Sequence, residues 1–204
     1  MNFQRIMLFC LNFIKKTLQL ELDNFVELDE GQLPISKQAF SKARQRISPE
    51  AFKELYLMTA ETFLNEADAA RFKGYRIFAI DGTELELSRS EELSVAYPPS
   101  RPLTTAPRAR VSIMCDVLSD AVVHTDISNL SVDERTLAIN HLNYFKATAT
   151  QQNKSLFIFD RGYPSKNLIE YFEDNNLKYL MRFVFSIIKV AHRAPKSLAE
   201  GDKK

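Results

Sequence analysis

Hydrophobic positions in the first third of the chain recur every three or four residues. Apolar side chains from Phe3 to Leu20 follow mixed helical spacing, Ala39, Phe40, Ala43 and Ile47 form one stripe, and Phe52, Leu55, Tyr56 and Phe63 form another. That period predicts helices. Ser36 and Ser48 stand where N-caps belong, and Pro49 takes the first helical position, where its missing N–H costs nothing. Two helices a short turn apart have the outline of a helix-turn-helix, an outline that any helical hairpin shares.

From Gly74 the period becomes two. YRIFAI, ELEL, RARVSIMCDVL and AVVHTDI read as strands, and Val111, Ile113, Cys115 and Val117 alternate with Ser112, Met114 and Asp116 as the apolar set of a half-buried one. Ser119 and Asp120 separate two of these runs and predict a hairpin. In SVDERTLAINHLNYF, Ser131 and Glu134 have the spacing of a capping box. That box accounts for Glu134 as a structural residue, and Ala138, Leu142 and Phe145 mark the buried side of the helix. SLFIFD is a short continuous apolar run, the form of a strand covered on both faces. SKNLIEYFEDNN returns to helical spacing through Leu168, Ile169 and Phe172, and KYLMRF is again a strand. The order is three strands, a helix, a strand, a helix and a strand, with crossovers long enough for the later strands to run parallel, which predicts a mixed α/β sheet. ELSRSEELSVAYPPSRPLTTAPRA reads as a long loop.

Composition narrows the class without naming a function. An apolar fraction of 45% and a charged fraction of 26% suit a globular protein, and no apolar run nears the roughly 18–20 residues of a bilayer span. IMLFCLNFI has no small-residue cleavage site after it and is followed by Lys15 and Lys16, so it reads as an amphipathic helix rather than an export signal. Cys10 and Cys115 lack metal-ligand spacing and suit reduced thiols in a cytoplasm. The net charge of +1 is uninformative, but its distribution is uneven. Lys37, Lys42, Arg44 and Arg46 cluster without an acid, as do Arg101, Arg108 and Arg110. Either cluster could face phosphates or only water.

Two acids end strand-like runs. Asp81 lies in IFAIDGTELEL, where Ile77, Ala79 and Asp81 share one face, and Asp160 follows SLFIF. Each could simply form a turn. In a mixed sheet, however, ligands bind beyond the carboxyl ends of parallel strands, and neighbouring strands would set the two carboxylates side by side. Close carboxylates repel unless a proton or cation lies between them, and oxygen donors without Cys or His favour Mg²⁺ or Mn²⁺. An aspartyl-phosphate enzyme with D-x-D-G-T is excluded because Ala79 stands at the nucleophile position. A serine hydrolase is unsupported, since no G-x-S-x-G occurs and His124, His141 and His192 show no partner spacing.

FSKARQRISPEAFKELY, AIDGTELELSRS, ARVSIMCDVLSD, DERTLAINHL and FDRGYPSKNLIEYFEDNNLKYLMRF together resemble the DDE transposases of bacterial insertion sequences, in the group with a D-R-G-Y motif. The resemblance implies a ribonuclease-H-like fold over 75–204 with a helical, DNA-binding region over 1–74. It implies Asp81 and Asp160 as catalytic, metal-binding acids using Mg²⁺ or Mn²⁺, and Arg161 as a phosphate contact. It further implies double-stranded DNA, both element ends and target, as partner, a homodimer that pairs the ends, and a cytoplasmic, nucleoid-associated location. The family's third acid lies in a Y-R-E-K-type signature that this sequence lacks. The expectation is therefore a C-terminally truncated transposase, weak or inactive alone, or a non-catalytic DNA-binding module or inhibitor derived from one.

Overall fold

Side-chain caps punctuate the helices of the N-terminal region. The structure is a computed structural model that describes residues 2–12, 16–27, 34–66, 68–99, 106–150 and 154–183. Expectations placed on Arg101 and His192 fall outside these residues. The chain forms two compact units, residues 1–59 and 60–204.

The first unit contains α1 (Phe3–Leu11), α2 (Leu18–Glu27), α3 (Lys37–Arg44) and most of α4 (Pro49–Leu64). The pattern from Phe3 to Leu20 resolves into two helices, not one. Asn12 is extended at φ −77° and ψ 135°, and its side-chain amide donates to the Leu8 carbonyl at 2.9 Å, satisfying an acceptor at the end of α1. Ser36 Oγ accepts from the Ala39 N–H at 3.3 Å, Ser48 Oγ accepts from the Glu50 N–H at 3.2 Å, and Pro49 opens α4 as expected. Phe9 packs edge-on against Phe25 and Phe40, with ring centroids 5.4 and 4.7 Å away, and Ile6 and Leu22 complete this core. The expected stripe on α4 is not its buried one. Leu55 and Phe63 are 42% and 41% exposed, whereas Ala60 and Leu64 are buried. α4 carries apolar residues around most of its circumference, so periodicity alone does not select a face.

The second unit contains β1 (Arg76–Glu86), α5 (Glu91–Ala96), β2 (Arg108–Asp116), β3 (Ala121–Asn129), α6 (Glu134–Thr148), β4 (Ser155–Phe159), α7 (Lys166–Asp174) and β5 (Lys178–Met181). The sheet order is β3-β2-β1-β4-β5, antiparallel from β3 to β1 and parallel from β1 to β5. This is the mixed α/β sheet expected. Phe78 and Ile80 of β1 join Met114, Phe157 and Phe159 in a core shared with Leu142 and Phe145 of α6 and with Leu168 and Phe172 of α7. Phe78, Phe145 and Phe157 meet at centroid distances of 5.2, 5.6 and 5.0 Å.

Four local expectations need correction. The Asp81-Gly82 pair makes no turn, because both residues stay paired, with Ile113 and Ser112, inside one continuous strand. On β2 the buried set is Ser112, Met114 and Asp116, while Val111, Ile113 and Cys115 are half-buried and Val117 is exposed. Polar residues can occupy the core face here because each has a partner. Arg76 Nε donates to Asp116 Oδ2 at 2.8 Å, and Ser112 Oγ lies 2.9 Å from His141 Nε2. The expected long loop holds α5, capped by Ser90, whose Oγ accepts from the Leu93 N–H at 3.2 Å.

The fourth correction concerns the start of α6. Asp133, not Ser131, is the N-cap. Its Oδ1 accepts from the N–H groups of Arg135 and Thr136 at 2.9 and 3.0 Å, and its Oδ2 accepts from Thr136 Oγ1 at 2.9 Å. Ser131 instead donates to Asn129 Oδ1 in the preceding turn. There is no capping box, and the Glu134 side chain is released from that role. The bonds from Thr136 and Arg135 hold the Asp133 carboxyl below its ordinary range. Asp133→Ala should cost about 1 kcal/mol of stability, read as a lowered thermal midpoint. An unchanged midpoint would show that the cap contributes nothing.

Candidate active site

Parallel pairing of β1 with β4 runs from Arg76 opposite Ser155 to Ala79 opposite Ile158. Continuing that register by two residues brings Asp81 level with Asp160. Both acids stand at the carboxyl-end edge of β4, where β4 stops and β1 continues beside β2 alone. Asp81 does not extend an inward row. Phe78 and Ile80 form the row in the main core, and Asp81 is exposed, as a charged group needs to be when nothing buried pairs with it. Its Oδ1 accepts from the Gly82 N–H at 2.8 Å.

D-R-G-Y is a tight turn in which the Tyr163 N–H donates to the Asp160 carbonyl at 3.2 Å. Asp160 and Arg161 are exposed, whereas Tyr163 turns inward, 2% exposed, with its ring 5.2 Å from that of Phe159. The Tyr163 hydroxyl is buried and has no hydrogen-bond partner among the described residues. Burial, followed by the negative charges of Glu134, Asp81 and Asp160, drives its phenol well above the ordinary tyrosine range, while Arg110 acts in the opposite direction.

Glu134 reaches the same place from α6. A β-carbon built on Gly82 would lie 3.5 Å from Glu134 Cγ and 3.6 Å from its Cδ and Oε1, so the glutamate side chain covers the residue next to Asp81. Arg135 donates from Nη2 to the Gly162 carbonyl at 3.1 Å, tying the start of α6 to the D-R-G-Y turn. Among the described residues, no group of three or more Asp, Glu, His or Cys side chains already converges on one ion-sized point.

The basic residues separate into two kinds. Lys37, Lys42, Arg44 and Arg46 are exposed on α3 and its C-terminal turn, and none forms an ion pair with another described residue. Arg108 and Arg110 are engaged. Arg108 lies 3.3 Å from Glu84 and 3.6 Å from Glu86, and Arg110 lies 3.9 Å from Glu84 while donating to the Val132 carbonyl at 2.6 Å. The signal was visible in ELEL, whose acids at alternate positions face these arginines across the β1–β2 ladder.

A histidine pair lies on the face of the sheet that α6 covers. His124 Nδ1 and His141 Nδ1 are 2.6 Å apart, His141 is fully buried, and Ser112 Oγ, bonded to its other nitrogen, donates to the Asp81 carbonyl at 3.4 Å. No spacing rule could have found this pair, because the rings come from a strand and a helix. No helix among the described residues is long and apolar enough to cross a membrane.

No curated protein matches the chain. Solved structures to which the chain is similar include a Mos1 transposase paired-end complex with the left transposon end. It has 18% identity and a TM-score of 0.38, with 86% of this chain and 61% of that one covered. A mariner Mos1 paired-end complex with Mg has 16% identity, a TM-score of 0.37 and the same coverage. A piggyBac transposase synaptic complex with hairpin DNA has 13% identity and a TM-score of 0.44, covering 94% of this chain and 44% of that one. The chain therefore spans less than two thirds of the length of these proteins. Residues 72–200 match the family described as the transposase DDE domain, and the chain belongs to that family.

Proposed function

We propose that the protein is a DNA transposase of a bacterial insertion sequence, cleaving and rejoining phosphodiesters with a divalent cation held by Asp81 and Asp160. The observation that supports this reading is the common level of the two carboxylates at the end of β4, inside the segment that matches the DDE domain. The donor set suits Mg²⁺ or Mn²⁺, since it offers carboxylate oxygens without thiolate or imidazole. The orphaned Tyr163 hydroxyl marks a polar environment still short of a partner. A bound divalent cation supplies an activated water and neutralises charge on the phosphate.

The chain's own residues would bind and orient. Arg161, exposed beside Asp160, contacts the phosphate flank, and the unpaired cations around α3 hold the DNA backbone of the element end. A second copy of the chain would bring the second end. Nicking of supercoiled plasmid in Mn²⁺ tests the reading. Asp81→Asn and Asp160→Asn should each remove it, and nicking indifferent to both substitutions would refute the assignment.

A second reading is favoured by one observation, the four unpaired basic side chains within the first compact unit. It takes the protein as a DNA-binding module or inhibitor without catalysis. Binding to duplex DNA should then weaken with salt, survive both aspartate substitutions, and fall when Lys42, Arg44 and Arg46 become alanine. Binding that ignores those three changes would sink this alternative.

A further inference from the structure

We infer that the outer face formed by α1 and α4 is the contact surface between two copies of this chain. The inference takes from the reading above only the second copy, and nothing in it depends on Asp81 or Asp160. α1 is apolar on two sides. Ile6 and Phe9 enter the core of the first unit with Leu22 and Phe40, whereas Phe3, Leu8 and Leu11 remain 54–56% exposed. Across a groove from them, Ala51, Leu55 and Met58 recur at helical spacing on α4, and Met58 is 70% exposed. The groove between the two helices has a volume of about 520 Å³. Among the described residues that line it, Glu54 is the one charged side chain, and no lysine or arginine takes part.

A small unit has little apolar surface to spare. Among its described residues, this one leaves more large apolar side chains on the α1–α4 face than it buries in its own core. Phe3, Leu8, Leu11, Leu55 and Met58 together present on the order of 400 Å² of apolar surface, a size at which a patch on a single chain marks an interaction site. Two such patches face to face, with their polar margins, remove roughly 1,000 Å² from water, which reaches the lower limit of a specific interface. Shape favours the same occupant. Met58 projects from α4 and the groove beside α1 lies open, so a two-fold axis lets each copy place its methionine in the groove of the other. A lipid surface or a nucleic acid would call for lysine and arginine around the groove, and a small molecule for buried polar groups converging on it. The lining offers neither, since its polar members, Gln4 and Glu54, are both exposed.

Sedimentation equilibrium of the full chain at micromolar concentration should give twice the 23.4 kDa mass of the single chain. Met58→Lys should raise the dimer Kd by roughly 30-fold or more, the effect of a central interface residue. Val95→Lys, at an exposed apolar side chain of α5 in the second unit, should leave it unchanged. Met58→Glu should weaken the dimer as Met58→Lys does, and because Met58 is mostly exposed neither charge disturbs the core of the unit. An equimolar mixture of the two variants should recover the doubled mass, a result that damage to the fold cannot produce. A dimer that tolerates both substitutions, or a mixture that stays monomeric, overturns the inference. A monomeric wild type overturns it as well. Slow maleimide labelling of Met58→Cys in that monomer would show the chain's own residues covering the groove, and fast labelling would show it open to a different protein. Each of these failures leaves the nicking test of Asp81 and Asp160 unaffected, and a failed nicking test leaves the dimer mass unaffected.

Discussion

Asp116→Ala should destabilise the second unit by roughly 3–5 kcal/mol, the range seen when one partner of a buried ion pair is removed. Arg76 and Asp116 are 4% and 1% exposed, and the guanidinium reaches the carboxylate through Nε at 2.8 Å and Nη2 at 2.5 Å. Arg76 also donates to the carbonyls of Leu64 and Phe63 at the end of α4 and lies 5.2 Å from the centre of the Phe78 ring. Without Asp116, a cation would remain buried with only two carbonyls as partners. A loss of this size is a third or more of the total stability of many domains, which lies at about 5–15 kcal/mol. Urea unfolding should show a lower midpoint at unchanged slope. Replacing both residues by leucine should recover much of the loss, because no charge is then left buried. A double variant as unstable as Asp116→Ala would show that packing, not the orphaned charge, sets the cost.

Acidification should destabilise the same unit through His141. Burial, and then the neighbouring His124 ring, lower the His141 pKa to about 4, and burial also lowers that of His124. Two Nδ1 atoms 2.6 Å apart can share one proton but cannot both carry one. The unfolded chain takes up protons on these rings as pH falls through about 6.5. The folded chain resists until about 4. Between those values the unfolded state binds more protons, so stability rises with pH across the window and is lost as pH falls. For His141 the full loss is roughly 3 kcal/mol, because each tenfold drop in proton affinity on folding is worth about 1.36 kcal/mol. Urea midpoints at pH 7.5 and pH 5 should differ in wild type and converge in His141→Gln. An equal pH slope in both proteins would exclude the histidine pair as its source.

The succession of strands and helices along the chain was legible because connection lengths and the change of period are local properties of the chain. Which face of β2 turns inward was not. Val111, Ile113 and Cys115 are the more apolar set, yet Ser112 and Asp116 are buried because His141 and Arg76, distant in sequence, satisfy them. The level of Asp81 with Asp160 could be anticipated from two acids ending two apolar runs. Glu134 could not, because Ser131, Asp133 and Glu134 all suit a helix start, and only the fold decides that Asp133 caps it. Arg108 and Arg110 looked free until the β1–β2 register set Glu84 and Glu86 against them.

The parallel pairing of β1 with β4 also bears on how the molecule comes to exist. β2 and β3 form a local hairpin, which can close in microseconds, whereas Arg76 must find Ser155 across the whole hairpin and α6. Loop-closure entropy makes that pairing late. Asp81 and Asp160 consequently stay apart in any partly folded chain that has only its hairpin, and come together when β4 joins β1. The two carboxylates thereby become neighbours only after the β2–β3 hairpin has closed.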